Sequence, residues 1–372
     1  MRIEGARVFT PWGRFEERAL CAEGDRIVGW AEGEVIDAAG LMAIPGLVDV
    51  HFHGAMGQDF CNGTAEAIET LAAYEASQGV LAICPATMTY PEDKLGTIAD
   101  AAAAWVAEGV HEGCADLVGI NMEGPFISPH KVGAQNPAYV QAPDAALFAR
   151  LQERAGGLFK LVDVAPEEPG ALDFIREVSR SATVSVAHTC ATYAQAAAAF
   201  DAGARECTHL WNAMPPLHHR DPGVIGAAAD RNDVRVELIC DGVHLHPATI
   251  RTTFRLFPGR VVLIADSMEA TGLSDGSYQL GGQEVTVRGS LATLADGTIA
   301  GSVTNLMGCL RYAVRQAGVP LEVALTAATL TPAQAIGVDA SYGSLAEGKI
   351  ANIVLVDDNL QVRDVIIHGV RQ

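Results

Sequence analysis

Short apolar runs recur along the middle of the chain, spaced so that one helix fits between each pair. Eight are readable: Leu47-Val50, Val80-Cys84, Leu117-Met122, Leu161-Ala165, Thr183-Ala187, Glu206-Thr208, Val234-Ile239 and Val261-Ala265, the sixth being the shortest. Ala-rich stretches with helical periodicity fall between them, at Ala65-Ser77, Ala99-Glu108, Ala145-Arg154 and Thr192-Ala202. Continuous apolar runs of strand length that alternate with helices suggest parallel strands covered on both faces. The repeat predicts an α/β fold, a (β/α)8 TIM-like barrel, with an open doubly wound sheet as the alternative. Both chain ends read differently. Ala6-Phe9, Arg26-Trp30, Asn352-Val356 and Val365-His368 are short alternating segments broken by Gly, Asp and Glu, the pattern of antiparallel strands and tight turns. They predict a small β-sandwich domain built from residues 1–44 and 338–372, around a barrel of residues 45–337. Gly276 to Ala300, with Gly281-Gly282, Gly289 and Asp296-Gly297 between β-rich pieces, interrupts the repeat and reads as a β-hairpin insertion. Helices resume at Val303-Gln316 and Leu321-Ala335.

Composition narrows the function. At 372 residues and 49% hydrophobic, the chain has ample material for a large core. Its formal charge of -20 argues against nucleic acid or an anionic membrane as a partner, because both need a basic footprint. No apolar segment has the length of a signal-peptide core or a membrane span, so a soluble cytoplasmic protein is expected. The eight cysteines include no Cys-x-x-Cys pair and read as buried thiols.

The candidate chemistry lies at the C-terminal ends of the apolar runs, where the active sites of such barrels are built. His51 and His53 follow the first run. Two residues apart on an extended segment, they point to the same side. Glu123 ends the third run, His188 the fifth, His209 the sixth and Asp266 the eighth. Taken singly, each has an ordinary explanation: a loop histidine, a salt-bridged glutamate, a capping aspartate. Together they place six imidazole and carboxylate groups around one barrel mouth, the usual ligand types of a catalytic zinc or iron.

These residues belong to a series of motifs: Pro45-Gly46-Leu47-Val48-Asp49-Val50-His51-Phe52-His53, Met122-Glu123-Gly124-Pro125-Phe126, Ala187-His188-Thr189-Cys190-Ala191-Thr192 and Thr208-His209-Leu210-Trp211-Asn212-Ala213-Met214. Arg220-Asp221-Pro222-Gly223, Asp241-Gly242-Val243-His244, Ala265-Asp266-Ser267, Asp275-Gly276-Ser277-Tyr278, Ala300-Gly301-Ser302 and Glu347-Gly348-Lys349-Ile350-Ala351-Asn352 continue it. In this order, over nearly the whole chain, the sequence resembles the N-acetylglucosamine-6-phosphate deacetylase family of the amidohydrolase superfamily. The resemblance implies that Glu123, His188 and His209 hold a divalent metal. His51 and His53, a pair that some members replace with Gln and Asn, make a second site available. Zinc is the expected ion and iron the alternative, at one or two per subunit. Related amidohydrolases bridge two metals with a carboxylated lysine. Lys160 is the lysine near the fourth strand, but in this family Glu123 takes the bridging place.

The resemblance also assigns Asp266 as the catalytic carboxylate. It implies substrate contacts at Ala134, Gln135, Asn212, Ala213, His244, Ile299, Ala300 and Gly301, with Arg220 near the phosphate. An arginine suits that task because its guanidinium forks onto phosphate oxygens. The implied reaction, in amino-sugar catabolism, is hydrolysis of the acetamide of N-acetylglucosamine 6-phosphate to glucosamine 6-phosphate and acetate. The expected partner is therefore a small sugar phosphate, and a homodimer is the expected assembly. Two departures bear on the sugar. Many members carry His where this chain has Gln135, and smaller residues where it has Met268 and Glu269. These leave a related substrate such as N-acetylgalactosamine 6-phosphate as the alternative. Cyclic-amide hydrolases and adenine deaminases share the metal ligands but not the group of Asn212, Ala213 and Arg220. Non-catalytic relatives tend to lose ligands, and all six are present here.

Overall fold

Each of the eight apolar runs forms a parallel strand in the computed structural model, which describes all 372 residues. They are β1 (Leu47–Asp49), β2 (Val80–Ile83), β3 (Ile120–Met122), β4 (Phe159–Val164), β5 (Thr183–Val186), β6 (Glu206–Cys207), β7 (Arg235–Ile239) and β8 (Val261–Ile264). Strands β3 to β8 make one six-stranded parallel sheet in sequence order. Strand β2 pairs in parallel with β1 on one side and with the short strand Asp116–Leu117 on the other. Backbone hydrogen bonds join the two sheets. The Asn121 N–H donates to the Pro85 carbonyl at 2.9 Å, and the Thr87 N–H to the Asn121 carbonyl at 2.8 Å. At the other edge, the Asp266 N–H donates to the His51 carbonyl at 2.8 Å. The result is a mixed α/β fold around a curled parallel sheet.

Burial explains why these runs are continuous and not alternating. Val48, Val50, Ala82, Cys84, Leu161, Ile239, Val262 and Ile264 share one apolar cluster with residues of the Leu330–Ala335 helix. Their neighbours Leu47, Leu81, Ile83, Val162, Val236, Leu238, Val261 and Leu263 join a larger core beneath the helices. Helix boundaries follow capping chemistry. Thr64 caps Ala65–Ser77 and Asp144 caps Ala145–Arg154, each accepting from first-turn N–H groups. Thr192 stands outside its helix, Tyr193–Ala202, in a reciprocal capping box with Gln195. The stretch read as starting at Ala99 begins at Glu92, directly after Pro91. Its first turn is polar, so apolar periodicity alone places the start too late. Leu321-Ala335 is two helices, Leu321–Ala328 and Leu330–Ala335, broken at Thr329.

The chain ends interleave in two sheets. One has the order Val370–Arg371, Val362–Ile367, Ile353–Val356, Met42–Pro45, Arg7–Phe9, Phe15–Glu17. The other has the order Arg26–Val28, Leu20–Glu23, Arg2–Glu4, Val35–Asp37. Their alternation is used on both faces. Val8, Ala43, Ile353, Leu355 and Ile366 pack on Ile3, Leu20, Ile27 and Ile36 of the second sheet. Phe9, Met42, Ile44, Val354, Val356 and Ile367 face the large core instead. Residues 276–300 form an antiparallel meander of three strands, Gly276–Leu280, Gln283–Arg288 and Leu291–Thr293, one more than a hairpin. Its Gln283 amide donates to the Ala134 carbonyl at 2.6 Å, which holds the meander against the loop after β3. No helix is long and apolar enough to cross a membrane. Seven of the eight cysteines are buried; Cys190, in a loop, is exposed.

Candidate metal centre and active site

The six predicted ligand side chains converge at the C-terminal ends of their strands, all buried. They form two groups, Glu123 with His188 and His209, and His51 with His53 and Asp266. In the first, His188 Nε2 and His209 Nε2 each lie 3.1 Å from Glu123 Oε1 and 3.1 Å from each other. In the second, His53 Nε2 is 3.3 Å and His51 Nε2 3.8 Å from Asp266 Oδ1. Glu123 spans both. Its Oε1 is 3.5 Å from His51 Nε2, and its Oε2 is 3.4 Å from His53 Nε2.

This donor set fits a divalent metal. Zinc–nitrogen bonds of ~2.0–2.1 Å in a tetrahedral site put ligand atoms about 3.3 Å apart, close to the separations around Glu123. The ring nitrogens are prepared for it. His188 Nδ1 is 2.8 Å from the Lys131 carbonyl, so it carries the proton and leaves Nε2 free to ligate. His51 Nε2 is buried without a hydrogen-bond partner. The electrostatics agree. Burial works against the charge on Glu123, but the facing His51, His188 and His209 hold its carboxyl well below the usual range. Asp266 is likewise lowered against its burial, by the hydrogen bond to His53 and the nearness of His51. His51 is raised against its own burial by Glu237 and Glu123, and His53 by Asp266 and Glu123.

The backbone is bent to present these groups. His188, His209 and Asp266 have φ of 41°, 29° and 50°, left-handed conformations that cost non-glycine residues about 1–3 kcal/mol each. Trp211 and Ala213 continue the turn after β6 at φ 83° and 50°, and Trp211 Nε1 donates to Thr253 Oγ1 at 2.9 Å. Such strain held at three strand ends, those of β5, β6 and β8, is typical of functional sites.

Above the ligands opens a cavity of about 470 Å³. Of the predicted residues, His53, Glu123, Ala134, Gln135, His188, His209, Asn212, Ala213, His244, Asp266, Ile299 and Gly301 line it. His51 lies beneath, and Ala300 is buried behind the wall. Arg220 is not brought in. It lies on an exposed loop, with Nη1 2.6 Å from His219 Nε2. Lys160, half-buried at the opposite end of β4, belongs to neither ligand group. Gln135 is committed within the protein. Its Nε2 donates to Glu123 Oε2 at 2.6 Å, and its Oε1 accepts from the Thr89 N–H at 2.6 Å. His244 is anchored by Asp241, Nδ1 to Oδ2 at 2.8 Å, and this pairing raises its pKa against burial.

Sequence reading missed Met88, His130, Lys131, Leu280, Asp296 and Thr298 in the lining. All lie in loops or in the meander, where no periodicity marks an inward position. It also passed over Glu237, whose signal was a lone carboxylate inside the apolar strand Val236-Glu237-Leu238-Ile239.

Comparison with known proteins agrees with this geometry. The profile of the Amidohydrolase family matches residues 42–371. N-acetylglucosamine-6-phosphate deacetylase of Bacillus subtilis is 36% identical, over 90% of this chain and 86% of its own. N-acetylgalactosamine-6-phosphate deacetylase of Escherichia coli O157:H7 is 37% identical, over 87% and 86%. Among solved structures, a mutant N-acetyl-D-glucosamine-6-phosphate deacetylase from Mycobacterium smegmatis, in complex with N-acetyl-D-glucosamine-6-phosphate, superposes with a TM-score of 0.92. It is 33% identical, with 100% of this chain and 98% of that one covered. With its ligand geometry, its strand order and these similarities in accord, the chain belongs to the amidohydrolase family and groups there with the N-acetylglucosamine-6-phosphate deacetylases.

Proposed function

We propose that this protein hydrolyses the acetamide of N-acetylglucosamine 6-phosphate, giving glucosamine 6-phosphate and acetate. The observation that carries the reading is the pair of three-residue ligand groups, spanned by Glu123, at the floor of a cavity of sugar-phosphate size. In it Glu123, His188 and His209 hold one divalent metal, and His51 and His53 with Asp266 offer a second place. Zinc suits the mixed imidazole and carboxylate donors, with iron as the alternative. A metal bound there would supply Lewis-acid character and a lowered pKa, toward ~7, for a coordinated water.

The remaining work falls to side chains of this chain. Asp266, held ionised by its imidazole neighbours, accepts the proton of the attacking water at a carboxylate oxygen. It then returns that proton to the amine nitrogen, without which the amine leaves poorly. His244, whose pKa the facing Asp241 raises against burial, meets an anionic or hydroxyl oxygen of the substrate. Asn212 and Ala213, with Ala134, Ile299, Ala300 and Gly301, shape the sugar site. Gln135 acts on the substrate through Glu123, whose carboxylate it orients. Arg220 reads the phosphate by swinging from its exposed loop, and Lys131 at the rim is the second cation within the substrate's reach.

The architecture proposed is a closed (β/α)8 barrel of residues 45–337, flanked by a β-sandwich domain of residues 1–44 and 338–372. The burial of β1 to β8, where only Lys160, Thr183 and Arg235 are partly exposed, and the apolar cluster shared by the two terminal sheets support it. A homodimer acting in the cytoplasm fits a phosphorylated sugar substrate.

The test is acetate release from the 6-phosphates of N-acetylglucosamine, N-acetylgalactosamine and N-acetylmannosamine, with metal content measured on the same protein. The expected result is highest kcat/KM for the gluco epimer with one or two metals bound. A preference for the galacto epimer selects the alternative substrate, and no acetate from any of the three by metal-loaded protein overturns the reading. Arg220→Ala and Lys131→Ala, compared on phosphorylated and unphosphorylated sugar, identify the phosphate contact. Its loss raises KM for the phosphorylated sugar by about 10- to 100-fold, the equivalent of one charge-assisted hydrogen bond.

A further inference from the structure

Within the inner face of the strands, one carboxylate touches both ligand groups. Glu237 is fully buried in the middle of β7. Its Oε2 lies 2.9 Å from His51 Nδ1 and accepts from the His209 N–H at 3.1 Å. Its own carbonyl accepts from the Leu210 N–H at 2.9 Å. One residue thus grips the imidazole of the second group and, by side chain and backbone together, the left-handed turn that presents the ligand of the first.

We infer that Glu237 is a positioning residue that sets the tautomer of His51 and the spacing between the two ligand groups. The inference rests on the metal-centre reading above. A neutral imidazole carries a single N–H. With Glu237 accepting at Nδ1, that hydrogen is fixed there, and the Nε2 lone pair faces Glu123 and Asp266, 3.5 and 3.8 Å away. The same oxygen holds the backbone at His209, where φ of 29° is unfavourable without outside bonds. A carboxylate fully buried in the middle of β7 carries a desolvation cost that ordinary packing would avoid. Two hydrogen bonds to metal-ligand residues explain its presence where strand packing alone calls for an apolar side chain.

Two readouts separate positioning from a merely structural role. Zinc affinity and stoichiometry are measured by chelator competition in wild type, Glu237→Gln and Glu237→Leu. Ring-nitrogen chemical shifts of ¹⁵N-histidine-labelled, metal-free wild-type protein, recorded at a pH high enough that His51 is neutral despite its raised pKa, report the His51 tautomer, assigned with His51→Gln. Zinc affinity is expected to fall by about 10- to 100-fold in Glu237→Gln and further in Glu237→Leu. Saturating zinc should restore part of kcat in Glu237→Gln while KM changes little, and wild-type His51 should carry its proton on Nδ1. Unchanged zinc affinity in Glu237→Gln, or a neutral wild-type His51 that carries its proton on Nε2, overturns the inference. The tautomer measurement needs no substitution at position 237, so it decides even if Glu237→Leu does not fold. Absence of zinc binding by wild type would instead overturn the metal-centre reading itself.

Discussion

At the scale of a single residue, the proposed chemistry centres on Asp266. It ends β8 in a left-handed conformation, its Oδ1 3.3 Å from His53 Nε2, and it lines the cavity floor. Asparagine keeps its size but cannot accept a proton. Asp266→Asn is therefore expected to lower kcat by about 10²- to 10⁴-fold with a small change in KM. Steady-state kinetics alongside metal analysis checks this. Collapse of rate with metal retained supports proton transfer, metal loss with the rate makes Asp266 chiefly a ligand, and near-normal kcat with metal present removes it from the mechanism. Asp266, Glu123, His188 and His209 were legible because a polar residue ending an apolar strand stands out against its neighbours. Lys131 and Asp296 were not, because a loop gives no rule for which side chains turn inward. The double engagement of Gln135 with Glu123 and Thr89 was hidden for a further reason. Its partners are 12 and 46 residues away in sequence.

At the scale of elements, the site depends on how strands end. Gly124 follows Glu123 at φ 89°, and a Cβ there would lie 2.1 Å from Thr89 Oγ1 in the loop after β2. Gly124→Ala meets both obstacles at once. It is expected to cost at least about 1–2 kcal/mol from the left-handed backbone alone and to displace Glu123 from its histidines. Thermal denaturation and zinc affinity should fall together, whereas a variant with wild-type values in both would show that the approach of the two loops is not tight. Strand positions were readable as apolar runs. Helix starts were less so where the first turn was polar, as at Glu92, or where a cap stood just outside, as at Thr192. There the boundary is set by hydrogen-bonding geometry and not by hydrophobic period.

At the scale of the whole molecule, the interior carries more acid than its bases can balance. Burial raises Asp49 to about 7 and Glu206 to about 8, with the Glu237 charge adding to both. Both oxygens of Glu206 lack a hydrogen-bond partner. Between its unfolded value near 4.5 and its folded value of about 8, Glu206 is protonated in the native state and ionised in the unfolded one. The native state then binds more protons, so this group's contribution to stability is present below pH 4.5 and is lost as pH rises toward 8. Glu206→Gln keeps the shape without the charge. It is expected to raise the Tm at pH 8 relative to wild type, by an amount that shrinks steadily as pH falls toward 4.5, at constant metal occupancy. A Tm difference independent of pH would show that Glu206 does not titrate in this window.

The sequence alone determined the alternation of strand and helix, the β-rich character of both ends and the polar residues at the strand ends that are the candidate ligands. Each of these is a local property, written in apolar period and in the residue that ends a run. Only the tertiary structure decided which strand ends meet, that Glu123 spans two groups, that Arg220 faces outward and that Glu237 holds His51 and His209 together. Those contacts join residues tens to nearly two hundred positions apart. They depend on the curl of the sheet and the bends at strand ends, which many sequence patterns share and which chain closure alone makes specific.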